Sequence, residues 1–381
     1  MTESEAREVV PSPQRDLTWI SYGEFGRQFF RRAVATERIT SAVSGMTGRG
    51  LKIGPFEVGP AGLAGVVADG SVGTPTVTRH KGDDVAFDLL VPVSLVVVIR
   101  LGQEIRVEAG VEIDLVLNAR AAEELRIVID IPKVTHRDVR LVVRAEALGA
   151  AWEWILEPIG RVIRAEVASR LNGMLNDPDS VRGRIFDVGA MIDGTPDNKS
   201  AKPALAWITY DEFGERFFRH AVSAERISEA VGDLNGRTVN IEPMRTGPRD
   251  IAKVSAKGFV RSPKVVPRAG DKVTFDVTIP VALDLQISIA RGDNHYQAEI
   301  DIPLVLTARA ADPLLIVVDV PPPAPDDIEI ALKSMGVSAA VLGMIGGVKK
   351  QIRDQVAAVV AEELSDPSGR IVDVAARIET V

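Results

Sequence analysis

An α+β fold built twice over in one chain is what this sequence predicts, and three observations predict it. The first is an internal repeat: Trp19-Ile-Ser-Tyr-Gly-Glu-Phe-Gly returns as Trp207-Ile-Thr-Tyr-Asp-Glu-Phe-Gly at an offset of 188. Across residues 25–39 and 213–227, ten of fifteen positions are identical. The offset becomes 189 for residues 117–132 against 306–321, where ten of sixteen positions match. Self-similarity at a fixed period marks a duplication. The second observation is unbroken period-2 alternation, the signature of a strand with one face buried. From residue 273 to 289 every odd position is apolar, while the even ones include Thr274, Asp276, Thr278, Asp284 and Gln286. The third is a long amphipathic helical pattern that closes each repeat. The expected division is a flexible tail at residues 1–16, a first repeat at 17–194, a linker at 195–204 and a second repeat at 205–381.

Each repeat opens with a helix start. Ser21-x-x-Glu24 and Thr209-x-x-Glu212 fit the capping box, in which hydroxyl and carboxylate each satisfy an orphan backbone N–H. Ile20 with Phe25, and Ile208 with Phe213, stand where a hydrophobic staple would form. Apolar residues at helical spacing then predict one helix to about Ser44 and, in the second repeat, one from Phe213 to about Gly232. A stretch punctuated by Gly and Pro follows, with short strands around residues 63–79 and 251–266. Next come two long hairpins. Residues 85–99 and 105–119 turn at Gly102, and residues 273–289 and 296–308 turn at Arg291-Gly-Asp-Asn. A strand of this length extends about 50 Å, two to three times the usual span, and must curl around something. The partner comes last. Residues 157–175 carry Ile159, Val162, Ile163, Val167, Leu171 and Leu175 on one side, and residues 347–364 carry Val348, Ile352, Val356, Val359 and Val360. Each repeat is thus expected to be a long, strongly curved antiparallel sheet wrapped around long helices.

Composition narrows the chemistry. The 381-residue chain is 46% hydrophobic and 26% charged, ordinary values for a globular protein. With 45 Lys+Arg against 53 Asp+Glu the formal charge is -8, and surplus acid repels phosphate backbones, so no nucleic-acid partner is expected. The absence of cysteine excludes disulfides, thiolate metal sites and cysteine nucleophiles. The longest apolar run, residues 89–99, is interrupted by Pro92 and Ser94 and falls short of the about 20 residues that span a bilayer. Residues 1–16 are polar, of mixed charge and contain Pro11 and Pro13, with no apolar core of a secretory signal, so a cytoplasmic location is expected. The arginine and alanine bias is common in GC-rich bacterial genomes.

Helix, long antiparallel sheet and long helix, duplicated in tandem, resemble the tubular lipid-binding (TULIP) superfamily, which includes the bactericidal/permeability-increasing protein and the SMP domains. The resemblance covers residues 17–381 and rests on element order, strand length and duplication. It implies a strongly bent sheet around a long helix, with acyl chains held in the groove between them. The disulfide of some animal members cannot form without cysteine, and their secretion signal is not expected here. The helix-grip (START-like) fold also closes a curved sheet on a long C-terminal helix, but it opens with a strand.

No proton-transfer set recurs between the repeats. His80 corresponds to Arg268, His136 to Pro325 and His220 to Arg32, while His295 falls in the second hairpin turn. Lone histidines without a positioned partner are ordinary surface or core residues. No phosphate loop, zinc pattern, nucleophile elbow or calcium loop occurs. Charged positions that do recur are Glu37-Arg38 with Glu225-Arg226, Asp88 with Asp276, Arg120 with Arg309, Asp130 with Asp319 and Asp187 with Asp373. Caps, turn anchors and surface ion pairs account for them better than a headgroup clamp or an acid/base set.

These readings converge on a non-catalytic lipid-binding or lipid-transfer protein with a hydrophobic, lipid-like ligand, no cofactor and no metal. Groove candidates are Phe29, Ala33, Phe87, Leu89, Val91, Val111, Ile113, Leu115, Trp152, Ile163 and Val167 in the first repeat. In the second they are Phe217, Phe275, Val277, Ile279, Ile300, Ile302, Ile352 and Val356. Trp152 and Trp154, beside Pro158 and absent from the second repeat, either rim the groove or fill the core. On the outer sheet face the first repeat has Leu90, Val96 and Val98 where the second has Thr278, Asp284 and Gln286. An apolar outer face marks an interface with the other domain, a second chain or a partner protein, and membrane contact is the lesser alternative. The competing functions are a scaffold of the same fold with a filled core, oligomerising through that face, and an enzyme on a lipid-like substrate.

Overall fold

A computed structural model describes residues 17–58, 64–144, 153–196, 205–246, 252–289, 292–334 and 345–379. The fold is α+β, with two curled antiparallel sheets and their helices. In chain order the first part contains β1 (Trp19–Ile20), α1 (Tyr22–Ala33), α2 (Thr36–Ser44), β2 (Gly50–Val58), β3 (Ala64–Val72), β4 (Thr76–Arg79), β5 (Ala86–Leu101) and β6 (Gln103–Ala122). It continues through β7 (Arg126–Asp130), β8 (Val139–Arg144), α3 (Glu153–Leu175), α4 (Pro178–Arg182), β9 (Ile185–Asp187) and α5 (Val188–Asp193). The second part repeats the series as β10 (Trp207–Ile208), α6 (Tyr210–Ala221), α7 (Ala224–Gly232), β11 (Thr238–Thr246), β12 (Ala252–Val260), β13 (Lys264–Arg268), β14 (Thr274–Ile289) and β15 (Gly292–Ala311). It ends with β16 (Leu315–Asp319), β17 (Glu329–Ser334), α8 (Ile345–Glu363), β18 (Ile371–Asp373) and α9 (Val374–Glu379).

The long hairpins organise both sheets. β5 and β6 pair without interruption from Ala86↔Asn118 to Leu101↔Gln103, and β14 and β15 from Thr274↔Thr307 to Ile289↔Gly292. Gly102 turns the first hairpin at φ +72, a conformation that glycine adopts at no steric cost. Both central strands carry a proline at the same place, Pro92 and Pro280, which cannot donate to a ladder. On β5 it falls in the gap between β3, whose pairing ends at Val72↔Val93, and β4, whose pairing begins at Thr76↔Leu90. There only the carbonyl of Pro92 is needed, and it accepts from Gly73 N at 2.7 Å; Pro280 accepts likewise from Arg261 N at 2.7 Å.

Two expectations need correction. The opening helix is not one run to Ser44 but α1 and α2, with Ala35 at φ -88, ψ 153 between them, and α6 and α7 break at the same place. The restart is built by the chain's own chemistry in the second repeat, where the Ser223 hydroxyl caps Arg226 N; Ala35 offers no such oxygen. The second correction is that β2 and β11 precede the short strands that the sequence indicates. Their pairing with β3 and β12 shifts register between Ile53 and Phe56 and between Ile241 and Met244. These bulges enclose Gly54-Pro55 and Glu242-Pro243 and switch the inward-facing parity, which hides the alternation.

The chain divides into two compact units, and their limits do not follow the repeats. One comprises residues 26–217, the other residues 1–25 with 218–381. The boundaries fall inside α1 and α6, so each repeat's opening segment belongs to the unit that holds the other repeat's sheet. β1 pairs with β15 through Trp19↔Ala311 and Ile20↔Ala310, and β10 pairs with β6 through Trp207↔Ala122 and Ile208↔Ala121.

Candidate functional site

The inner face of each sheet is apolar. In the unit of residues 26–217, cross-strand neighbours Phe87–Leu117, Leu89–Leu115, Val91–Ile113 and Val93–Val111 form consecutive inward rows, all buried. Leu141 of β8 extends the Val111 row, and Val139 extends that of Ile113. The helix α3 lies against β8 and β2, the two strands that end this part of the sheet, and thereby closes its curl. Ile163 and Val167 lie on the buried face of that helix with Ile159 and Ala168. Gly160 gives it close approach, because a Cβ there would stand 3.2 Å from Leu141 Cδ2. Asn172 fixes its far end by accepting from Val134 N at 3.0 Å and donating to Val134 O at 2.7 Å.

The other unit has matching rows, Phe275–Leu306, Val277–Leu304, Ile279–Ile302 and Val281–Ile300. Of these Ile279 is half-buried and the rest are buried. Ile352 is buried on α8 and Val356 half-buried. Small residues recur on both inner faces, Ala68 and Ala109 in one, Ala256 and Ala298 in the other.

Not every groove candidate faces these rows. Phe29 is buried with its ring 5.5 Å from that of Phe213 and 5.3 Å from that of Phe217. The two thus form an aromatic cluster of α1 and α6 in the unit of residues 26–217, which places Phe217 with the sheet of the first repeat. Ala33 is half-buried at the end of α1. Trp152 and the side chain of Trp154 lie outside the described residues. On the outer face Val96 is 43% exposed, Leu90 and Val98 half-buried.

The sequence-based reading passed over one polar residue of each opening segment. The Tyr210 hydroxyl donates to Ala119 O at 2.5 Å and accepts from Val85 N at 3.2 Å. Tyr22 does the same in the other unit, donating to Ala308 O at 2.6 Å and accepting from Val273 N at 3.2 Å. Each phenol thus continues the hairpin ladder where its own backbone bonds stop, beside the two residues of β10 or β1. Burial pushes both phenols above the usual tyrosine range, and the backbone N–H bond opposes that shift. The phenol rings stack on Phe30 (4.2 Å) and Phe218 (4.1 Å). Beside them Arg120 lies over Trp207 at 3.9 Å and reaches Asp130 at 3.4 Å, while Arg309 lies over Trp19 at 3.7 Å and reaches Asp319 at 3.3 Å. The recurrence of Trp-Ile-[Ser/Thr]-Tyr was the available signal. Tyr210→Phe strands the Val85 N–H, so it is expected to lower stability by about 1–3 kcal/mol. Urea unfolding with hydrogen exchange at Val85 checks it; unchanged exchange there would contradict the bond.

Most of the recurring charges serve side-chain pairs or helix caps. His80 Nε2 stands 2.6 Å from Asp88 Oδ2, and in the second repeat Arg268 meets Asp276 at 2.7 Å, so this histidine takes the place of an arginine beside the matching aspartate. Asp187 and Asp373 accept from Ala190 N at 2.8 Å and Ala376 N at 2.9 Å as helix caps. Among the described residues no group of three or more His, Asp or Glu is placed to hold a metal ion, and no helix is long and apolar enough to cross a membrane.

No family model matches the chain, and no curated protein matches it. Among solved structures it is similar to a lipopolysaccharide binding protein at 7% identity and a TM-score of 0.26, over 84% of this chain and 88% of that one. It is also similar to P47 of Clostridium botulinum E1 at 7% identity and a TM-score of 0.23, over 86% of this chain and 85% of that one.

Proposed function

We propose that this protein holds lipid-like molecules by their acyl chains, one apolar interior in each sheet-and-helix unit, without catalysing a reaction on them, and that it does so in the cytoplasm. The observation that carries the proposal is the pairing of inward apolar rows along two unusually long hairpins with the buried apolar face of a long helix. An acyl chain offers no hydrogen bonds, so its site needs apolar walls and few polar groups. The small side chains Ala68, Ala109, Ala256 and Ala298 on the inner faces favour room for a ligand over a wall packed with large residues. Organic extraction and native mass spectrometry of the purified chain test it. Co-purifying lipid at up to two molecules per chain is expected, and delivery of that lipid between vesicles would extend holding to transfer. A chain free of lipid that also takes up none from vesicles would refute the proposal.

A second function has its own observation. Val96 is 43% exposed although Asp69 and Glu108 flank it across the strands, and Val142 is 60% exposed on the same sheet. Exposed valines of this kind suit a protein interface. Changing Val96 to Asp and Val98 to Gln, the residues of the second repeat, is expected to leave unfolding unchanged and reduce self-association. Light scattering at rising concentration measures it, and an unaltered mass in both proteins would dismiss the interface.

A further inference from the structure

Two buried side-chain polar atoms have no hydrogen-bond partner among the described residues, the Tyr296 hydroxyl and Nε of Arg353. Both lie in the unit that carries the second repeat's sheet. Tyr296 is 3% exposed, on the inner side of β15, where its cross-strand row runs through Leu285 and Ala256 to Ile241 on β11. Arg353 belongs to α8, the helix that packs on β11, to which Gln351 Nε2 is bonded at Arg245 O (3.2 Å). Tyr296 thus stands three strands, about 14 Å, from β11 along the sheet, and Arg353 lies on the helix that packs on β11, so both border the interior that this sheet and helix enclose.

The first repeat shares only the arginine: at the offset of 189 that aligns Ile163 with Ile352, Arg164 stands where Arg353 does, and the tyrosine has no counterpart. Tyr296 opposite Leu285 corresponds to Val107 opposite Val97, and Val107 is a buried aliphatic residue. Leaving a buried hydroxyl unpaired forfeits the hydrogen bonds it would make to water, and the great majority of buried polar groups in native proteins are paired. Valine would fill the place without that cost, as it does in the first repeat. Arginine Nε–H can only donate, and a phenol donates readily, so the complementary group is an acceptor oxygen. The permanent guanidinium charge selects an anionic one.

We propose that the interior of the second repeat takes a long-chain acid, whose carboxylate oxygens accept from Tyr296 and Arg353, whereas that of the first repeat takes a chain with no such end. This rests on the lipid-holding function proposed above and names the ligand class for one of its two interiors. The test uses the full chain stripped of co-purifying lipid, titrated with radiolabelled oleate and with radiolabelled hexadecane. Tyr296→Phe is expected to lower oleate affinity about tenfold, equivalent to about 1.4 kcal/mol. Hexadecane binding stays the same, and the ligand-free variant melts no lower than the parent. Arg353→Gln is expected to weaken oleate in the same selective way. Oleate affinity unchanged in a folded Tyr296→Phe chain, or equal losses for both probes, would overturn the acid site and leave the lipid-holding function standing. If the unaltered chain binds neither probe, both proposals fall.

Discussion

Replacing Phe213 by alanine is expected to cost about 3–5 kcal/mol and to loosen the sheet of the first repeat, although Phe213 belongs by sequence to the second. The side chain is fully buried in the unit of residues 26–217, edge-on to Phe30 at 5.0 Å and within 5.5 Å of Phe29. A cavity left among packed rings cannot collapse without moving helix backbone, which puts the change in the upper range for large-to-small substitutions. Hydrogen exchange resolved by peptide locates the damage. Protection is expected to fall across β5 and β6 and to persist across β14 and β15. Phe25→Ala gives the mirror experiment. Phe25 is fully buried in the other unit, edge-on to Phe218 at 5.0 Å, so its loss is expected to expose β14 and β15 first. If each substitution loosened only the sheet of its own repeat, the exchange of opening segments would be wrong.

That exchange also marks where sequence reasoning stops. The hairpins are legible because a strand's side chains alternate with a period fixed by local geometry, so Leu89, Val91, Val277 and Ile302 identify themselves as inward without reference to the rest of the fold. The opening segments carry equal local information but no address. Trp19-Ile-Ser-Tyr and Trp207-Ile-Thr-Tyr are nearly the same, and both sheets offer the same acceptors, Ala119 O and Ala308 O, and the same arginine, Arg120 and Arg309. Nothing in such a sequence says which slot each segment fills. β2 and β11 escaped notice for a different reason. Ile53 and Val58 are both buried although five residues apart, an odd spacing that a straight strand cannot give and that the bulge at Gly54-Pro55 supplies. Tyr296 was legible as an inward position and nothing more, because alternation treats a phenol as one more apolar residue and says nothing of its hydroxyl.

Glycine at residues 70 and 258 leads to the other large effect, and its sign runs against the usual rule. Glycine inside a strand normally costs stability, so alanine there should help by about 0.5–1 kcal/mol. Gly70 on β3 pairs with Leu95 of β5, and Gly258 on β12 pairs with Leu283 of β14, the same place in both sheets. A Cβ on Gly70 would come under 3.0 Å from Ser94 O and Leu95 Cδ2, and on Gly258 from Ala282 O and Leu283 Cδ2. The leucine can swing aside, but the carbonyl oxygen is backbone in the middle of a paired strand. Relief therefore requires β3 to part from β5, or β12 from β14, in the middle of their pairing. Overpacking that has to move backbone costs about 1–3 kcal/mol, occasionally more. Gly258→Ala is accordingly expected to lower the urea midpoint of its unit substantially, and Gly258→Val to prevent that sheet from closing. Gly270→Ala is the control: it lies in the turn before β14, with nothing within 4 Å of its Cβ position, and should be nearly neutral. Should Gly258→Ala stabilise the chain, the backbone at residue 258 does not approach residue 282 this closely, and the tight curl that gives each unit its closed apolar interior would be lost with it.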